Sequence, residues 1–389
     1  MTYDVIVAGG GPAGLAFVRG LAGSGLRVAV VERQTRASLA DPTDDGREIA
    51  LTHRSAETLR MLGAWQRIDP SAVAPLRAAR VVDGGSSFAL SFDAQGAAVD
   101  RLGHLVSNHR LRRALHAAIG HDDDLTMLTG QGVSGVATDE GGVRVRLSGG
   151  DTIRGALLVA ADSRFSAVRE RLGIAARIRR LGRSMLVARV SHPLDHEGVA
   201  LEWFGHGQTV ALLPLNGRRT SAVLTLPEDA IARIAALDAD ALARELTRRT
   251  AHRLGPLRLL DTPHVYPLAT VWSTHFAATR AALIGDAAVG MHPVTAHGFN
   301  LGLRSAASLA ILVRQAAARR RNIAAPLLLR RYEAGHRLAA GPLFAATDAI
   351  VRLYTDDRVA AQMARPALLH AAARLAPVRA TVSHFLMQH

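Results

Sequence analysis

The run Gly9-Gly10-Gly11-Pro12-Ala13-Gly14 follows directly on an apolar stretch, Val5 to Ala8, and this junction constrains the fold more than any other part of the chain. In a G-x-G-x-x-G turn the first glycine permits a tight strand-to-helix reversal, the second lets the backbone approach a diphosphate, and the third lets helix and strand pack closely. The helix opening there presents unpaired N–H groups and a partial positive charge to the phosphates. Ala13 to Ser24 reads as that helix and Arg27 to Glu32, with apolar Val28 to Val31, as the next strand, which completes a β-α-β unit. Glu32 falls about twenty residues past the glycines, where a carboxylate accepts hydrogen bonds from an adenosine ribose. Strand, helix and acid in register predict a dinucleotide site made by Gly9, Gly11, Pro12, Ala13, Gly14 and Glu32, with Arg33 beside it.

A chain of 389 residues exceeds one such unit, so a second domain or a grafted region is expected. Thr52 to Leu62 reads as a helix closed by Gly63, Ala78 to Leu90 as a strand pair, and Leu105 to Ile119 as a helix by its spacing. Val143 to Leu147 alternates strictly and Ala156 to Ala160 is a buried strand ending at Ala161-Asp162. Strand signals dominate from about His192 to Leu226, which predicts an antiparallel sheet, and from Leu301 onward the sequence is Ala/Leu/Arg-rich helix. A second Gly-Asp turn, Gly285-Asp286, follows another apolar run.

The absence of Cys removes disulfides, thiolate metal sites and cysteine-linked flavin, and agrees with a reducing, cytoplasmic setting. No Lys occurs either, so the formal charge of +14 is carried wholly by arginine, and chemistry that needs a lysine is excluded. The region from Arg314 to His389 holds twelve arginines against four acids. Arg374 and Arg379 there, with their apolar neighbours, could lie on the inner face of an anionic membrane; a solvated helical cap fits equally. Met1-Thr2-Tyr3-Asp4 lacks a basic leader, and no recognised nucleic-acid module accompanies the charge.

Gly285-Asp286-Ala287-Ala288, then His292-Pro293 and His297-Gly298-Phe299-Asn300-Leu301-Gly302-Leu303, resemble the class A FAD-dependent aromatic hydroxylases of the p-hydroxybenzoate hydroxylase fold. The middle motif Ala161-Asp162-Ser163-Arg164-Phe165-Ser166-Ala167-Val168-Arg169 stands in order between this and the N-terminal glycines, and the resemblance runs over essentially the full length. Within that class the chain looks most like the ubiquinone-biosynthesis hydroxylases, through Leu51 to Ser55, Leu62 to Trp65, Trp203-Phe204 to Leu215 and Leu353 to Asp357. It leans toward their 5-demethoxyubiquinol 5-hydroxylase branch, in which Ala296-His297-Gly298 replaces the common Gly-Gln-Gly.

The resemblance implies an α/β fold: a Rossmann-like FAD-binding domain (1–74, 105–175 and 265–335), an inserted antiparallel substrate-binding sheet (75–104 and 176–264) and a C-terminal helical region (336–389). It implies FAD held also by Asp162, Asp286, Gly298, Phe299 and Asn300, NAD(P)H as electron donor, and O2 as the source of a hydroxyl passed through a flavin C4a-hydroperoxide to an aromatic ring, polyprenylated in the ubiquinone branch. Arg47 and Arg110 are assigned near the flavin and its ribityl chain, against the plainer reading of each as a solvated arginine. Pro293 and His292 are the candidates for a direct catalytic part, with a packed or backbone-bonded His292 as the competing account, and no metal is implied. Trp203, Phe204, Leu212 and Leu213 are expected as a lid over the substrate, with core packing as the alternative for each. Ser163, Val289 and Ser305 depart from residues common in the family, which leaves open a hydroxylase of another small aromatic or polyketide, a flavin-binding accessory protein without turnover, and a place in a biosynthetic complex.

Overall fold

Five parallel strands make the centre of the first sheet, in the order Ala281–Leu283, Thr152–Ala160, Thr2–Ala8, Val28–Glu32 and Leu125–Thr129. The computed structural model describes residues 1–84, 89–94, 99–205, 207–295, 297–355 and 365. Val5 to Ala8, Ala29 to Val31 and Leu157 to Ala160 are all fully buried, as expected of parallel strands covered on both faces. Helices Pro12–Leu21 and Gly298–Ala318 pack on each other so closely that a Cβ on Gly20 would press on Ala310 at 2.9 Å.

The register of these strands positions the site. Ala8 pairs with Ala160, Ala160 with Leu283, and Ala8 with Val31, so four strands end in one row. The glycine turn, Ala161-Asp162, Ile284 to Asp286 and Glu32 therefore emerge side by side at the carboxyl edge, where open α/β sheets bind ligands. Motifs more than 270 residues apart become neighbours through this row alone.

The second sheet runs His264–Ser273, Ala176–Ser191, Arg219–Pro227, Gln208–Leu215, Val199–Gly205, Ala78–Asp83 and Ala89–Asp93, antiparallel except between Val199–Gly205 and Ala78–Asp83. Helices Glu228–Ala235 and Ala239–Arg249 cover one of its faces, burying Ile231, Ile234, Leu242 and Leu246 against Leu186, Ala188, Val190, Val210, Leu212, Ala222 and Leu224. A small third sheet of Glu48–Leu51, Gly103–Ser107 and Ala74–Leu76 sits beside them.

The structure departs from the sequence reading at one point and adds to it at two. The helical spacing from Leu105 fails for its first residues, because Leu105 and Val106 pair with Ala50 and Ile49 across a ladder and the helix starts only at Asn108. The sixteen-residue strand Ala176–Ser191, whose arginines obscure any apolar alternation, is central to the second sheet. That sheet also extends past residue 264, since His264–Ser273 pairs along Ala176–Ser191. Of the C-terminal region, Pro326–Thr355 forms a helix; Ala296, Asp356, Asp357, Arg374, Arg379 and most of 356–389 lie outside the described residues. No helix among the described residues is long and apolar enough to cross a membrane.

His336 on that last helix is buried, with neither ring nitrogen hydrogen-bonded among the described residues, between the rings of Tyr332 and Phe276. Burial and the nearby Arg304 charge lower its pKa from 6.5 to about 4. The unfolded chain takes up this proton first, so stability is lost as pH falls from 6.5 toward 4, on the order of 3 kcal/mol from this group. His336→Leu is expected to raise the melting temperature and to flatten its decline over that window; an unchanged pH slope would refute the assignment.

Candidate active site

The glycine turn is built as a cradle. Gly9 has φ +112°, and a Cβ there would overlap the Ala161 carbonyl of the neighbouring strand end. A Cβ on Gly14 would overlap the Gly9 carbonyl oxygen, which fixes how closely helix Pro12–Leu21 approaches its strand. At Gly11 a Cβ would meet no protein atom within 4 Å, so the glycine there is not demanded by the fold. It leaves room at the helix N-terminus of the kind a diphosphate needs, and these residues fit FAD.

Glu32 accepts the Gly10 N–H at 2.6 Å and the Gln34 N–H at 2.8 Å, one on each carboxylate oxygen. This anchors the acid beside the turn while each oxygen keeps a lone pair for a ribose hydroxyl. Arg33 is exposed. Asp162 accepts the Ser166 hydroxyl at 2.5 Å and the Val168 N–H at 3.3 Å, and so orients Ser166, whose Oγ caps the short helix Ala167–Arg171 by accepting the Arg169 N–H at 2.9 Å. Asp286 faces Arg164, whose Nε and Nη2 donate to Oδ2 at 3.3 and 3.1 Å while its Nη1 donates to the Ala269 carbonyl. Arg164 ties the middle motif to the Gly-Asp turn through this ion pair, at the edge where a diphosphate would lie.

The Gly285–Ala287 turn carries Gly285 at φ +58°, where a Cβ would crowd Ala13 at 2.9 Å. Its N–H donates to Ser305 Oγ at 3.0 Å, and that hydroxyl donates to the Gly302 carbonyl at 2.6 Å. Ser305, singled out in the sequence only as a departure, thus pins helix Gly298–Ala318 to the turn. Asn300 accepts the Thr52 N–H at 3.1 Å and donates to the Ala50 carbonyl at 2.8 Å, binding the same helix to Glu48–Leu51 and the start of helix His53–Met61. Gly298 opens helix Gly298–Ala318 and Phe299 packs against the main core.

His292 is buried, with Nδ1 accepting the Val294 N–H at 3.1 Å; burial, then the charges of Arg164 and Arg183, lower its pKa to about 4. It is neutral near pH 7, the geometry of a backbone-bonded ring. Pro293 is exposed and opens the turn Pro293–Thr295. Arg47 donates through Nε and Nη2 to Asp45 at 3.0 and 2.6 Å and lies 5.4 Å from the Tyr266 ring, whose hydroxyl donates to the Asp45 carbonyl. Asn108 Nδ2 also donates to Asp45. Arg110 is half-buried on the helix that follows.

Segment 44–48 meets the second sheet through residues the sequence did not single out. Arg189 donates Nη1 and Nη2 to Asp44 at 2.5 and 3.1 Å and Nε to Glu48 at 2.8 Å, with Asp261 at 3.1 Å. Burial raises the Glu48 carboxyl to about 7 against the pull of Arg189. Burial also opposes ionisation of Asp44, but the Arg189 hydrogen bond and the Gly46 N–H prevail and hold it at about 2.

Strand alternation corrects the expected lid. Trp203 and Leu212 point to the helix-covered face and pack with its core, and Trp203 carries the Arg253 guanidinium at 5.0 Å. Phe204 and Leu213 point the other way, toward the face that holds Arg189 and Tyr266. Only half of that quartet can face a ligand.

Fold and site together fit a protein that holds FAD, and the chain is an FAD-dependent monooxygenase. The family described as FAD binding domain matches residues 2–345, and the chain belongs to it. It is 41% identical to the ubiquinone hydroxylase UbiM of Neisseria meningitidis over 98% of this chain and 83% of that protein. It is 36% identical to the ubiquinone hydroxylase UbiL of Rhodospirillum rubrum, over 97% and 87%. The anhydrotetracycline hydroxylase OxyS of Streptomyces rimosus shares the fold at a TM-score of 0.75 and 22% identity, over 100% of this chain and 76% of that one.

Proposed function

We propose that the protein hydroxylates the aromatic ring of a ubiquinone-biosynthesis intermediate, with FAD as cofactor and NAD(P)H and O2 as co-substrates. The match to two ubiquinone hydroxylases along nearly the whole chain carries this reading. When bound, the flavin supplies the activated oxygen. Gly9, Gly11, Pro12, Ala13 and Gly14 would cradle the diphosphate, Glu32 and Arg33 the adenosine end, and Asp162 and Asp286 the middle of the cofactor. Gly298, Phe299, Asn300, Arg47 and Arg110 would frame the ring and ribityl chain, with His292 and Pro293 at the loop beside it. The N–H donors at the start of helix Gly298–Ala318 would favour negative charge on a flavin held there. The second sheet would then exclude water above the ring. A polyprenylated substrate sits at a membrane surface, which the arginine-rich C-terminal region would meet.

Purified protein is expected to be yellow, and a demethylated or demethoxylated ubiquinone precursor is expected to accelerate its NAD(P)H oxidation. Deletion of the gene should change the quinone intermediates seen by mass spectrometry. An unchanged quinone profile would overturn the ubiquinone assignment, and FAD binding without turnover on any donor would favour an accessory protein.

A further inference from the structure

Across the second sheet one row of paired residues runs Leu90, Val81, Glu202, Ala211, Val223, Val187 and His264. Paired residues share a face, so all seven look the same way. His264 identifies that face: a Cβ on Gly46 would press on its ring at 2.6 Å, so the face that carries the row is the one whose His264 end fronts segment 44–48. Tyr266 and Arg189, two residues along from His264 and Val187, reach the same segment. Glu202 is therefore a carboxyl set among aliphatic side chains on the side of the sheet that confronts the flavin half. Its neighbours along the strand on that face, Ala200 and Phe204, are apolar as well.

A carboxyl there costs stability unless something uses it. Glu202 makes no hydrogen bond or ion pair among the described residues, yet it keeps part of its surface accessible. Arg189 on that face is already taken up by Asp44 and Glu48. A carboxyl left without a partner among the described residues is free to receive a hydroxyl donor.

We propose that Glu202 is a catalytic residue that receives the phenolic hydroxyl of the aromatic substrate and accepts its proton; this rests on the function proposed above. The phenol O–H bond breaks and a carboxyl O–H bond forms, leaving the electron pair on the phenolic oxygen to enrich the ring carbon that takes up oxygen. That carbon would take its oxygen from the activated oxygen that bound flavin supplies, the O–O bond breaking as the C–O bond forms; the carbon's proton then passes to water as the ring becomes aromatic again, and Glu202 returns its own proton to the first oxygen. Burial pushes the Glu202 carboxyl up to about 8, between an ordinary carboxyl and a phenol, which suits a group exchanging a proton with a phenol near neutral pH.

The test compares FAD-loaded wild type with Glu202→Gln and Glu202→Asp. Glu202→Gln should form hydroxylated product about 100-fold more slowly, lose the pH limb that wild type shows between pH 7 and 9, and regain part of both in Glu202→Asp. Binding of 4-nitrophenol, followed by its phenolate absorbance, should show a proton linkage in wild type that Glu202→Gln abolishes. Stoichiometric FAD in Glu202→Gln certifies the fold. A Glu202→Gln protein with wild-type product yield and pH profile, or with unchanged proton linkage to 4-nitrophenol, would overturn the proposal. If wild type hydroxylates no ubiquinone precursor, the function reading fails while the 4-nitrophenol linkage still decides Glu202.

Discussion

Gly11→Ala is expected to yield a folded protein that has lost most of its flavin, whereas Gly14→Ala should yield one that scarcely folds. The two substitutions add the same methyl group to the same turn, and what differs is what the methyl meets. At Gly11 no protein atom lies within 4 Å, so the apoprotein tolerates the change; the space taken is the room a diphosphate needs for close approach to the backbone. A loss of one or more hydrogen bonds from the helix N-terminus, each charge-assisted and worth about 1.5–3 kcal/mol, corresponds to roughly 10-fold to 100-fold weaker FAD binding. At Gly14 the methyl overlaps the backbone carbonyl of Gly9, which cannot swing aside because Gly9 is itself held at φ +112° against the Ala161 carbonyl. Flavin absorbance after desalting, beside the melting temperature of the apoprotein, separates the two. Equal FAD content in Gly11→Ala and wild type would show that the cofactor lies elsewhere.

That contrast also measures how much the sequence reveals. The glycine spacing, Glu32 and the Gly-Asp turn were legible because each is a local pattern with its own backbone requirement, and the shared strand ends convert them into one place. The second sheet was legible as strands but not as faces, since burial on both sides hides the alternation: Trp203 and Phe204 are both aromatic, both enclosed, and opposed. Leu201-Glu202-Trp203-Phe204 did hold one clue, a lone acid in an apolar strand, and a strict period of two would have set it apart from Trp203. Ser305 and Arg189 were beyond reach, because what matters about each is a partner twenty or more residues away. Arg189 also sits in a strand, Ala176–Ser191, whose many other arginines give no hint that this one is enclosed.

Arg189→Ala is expected to destabilise the protein by about 3–5 kcal/mol, the usual effect of removing one partner from a buried charge pair. The guanidinium is 16% exposed and Glu48 only 5%, so neither charge has water to fall back on. With Arg189 gone, the Glu48 carboxyl, already raised to about 7, rises further and becomes neutral at physiological pH. A folded-state pKa above the unfolded value of 4.5 means the folded protein holds the extra proton, so stability falls as pH rises from 4.5 through the folded value. The deficit of Arg189→Ala relative to wild type should accordingly be present already near pH 5, where Asp44 has lost the arginine that holds it at about 2, and larger near pH 8, as read from urea unfolding at each pH. Glu48→Gln added to Arg189→Ala should restore part of the loss by removing the orphaned acid, and Arg189→Met with Glu48→Gln should restore more by filling the space. Segment 44–48 carries Arg47, and Arg189 is what fastens Asp44 and Glu48 to the second sheet. The single variant should therefore also bind FAD more weakly at a pH where it is still folded, and a variant with wild-type FAD affinity would separate this latch from the cofactor site.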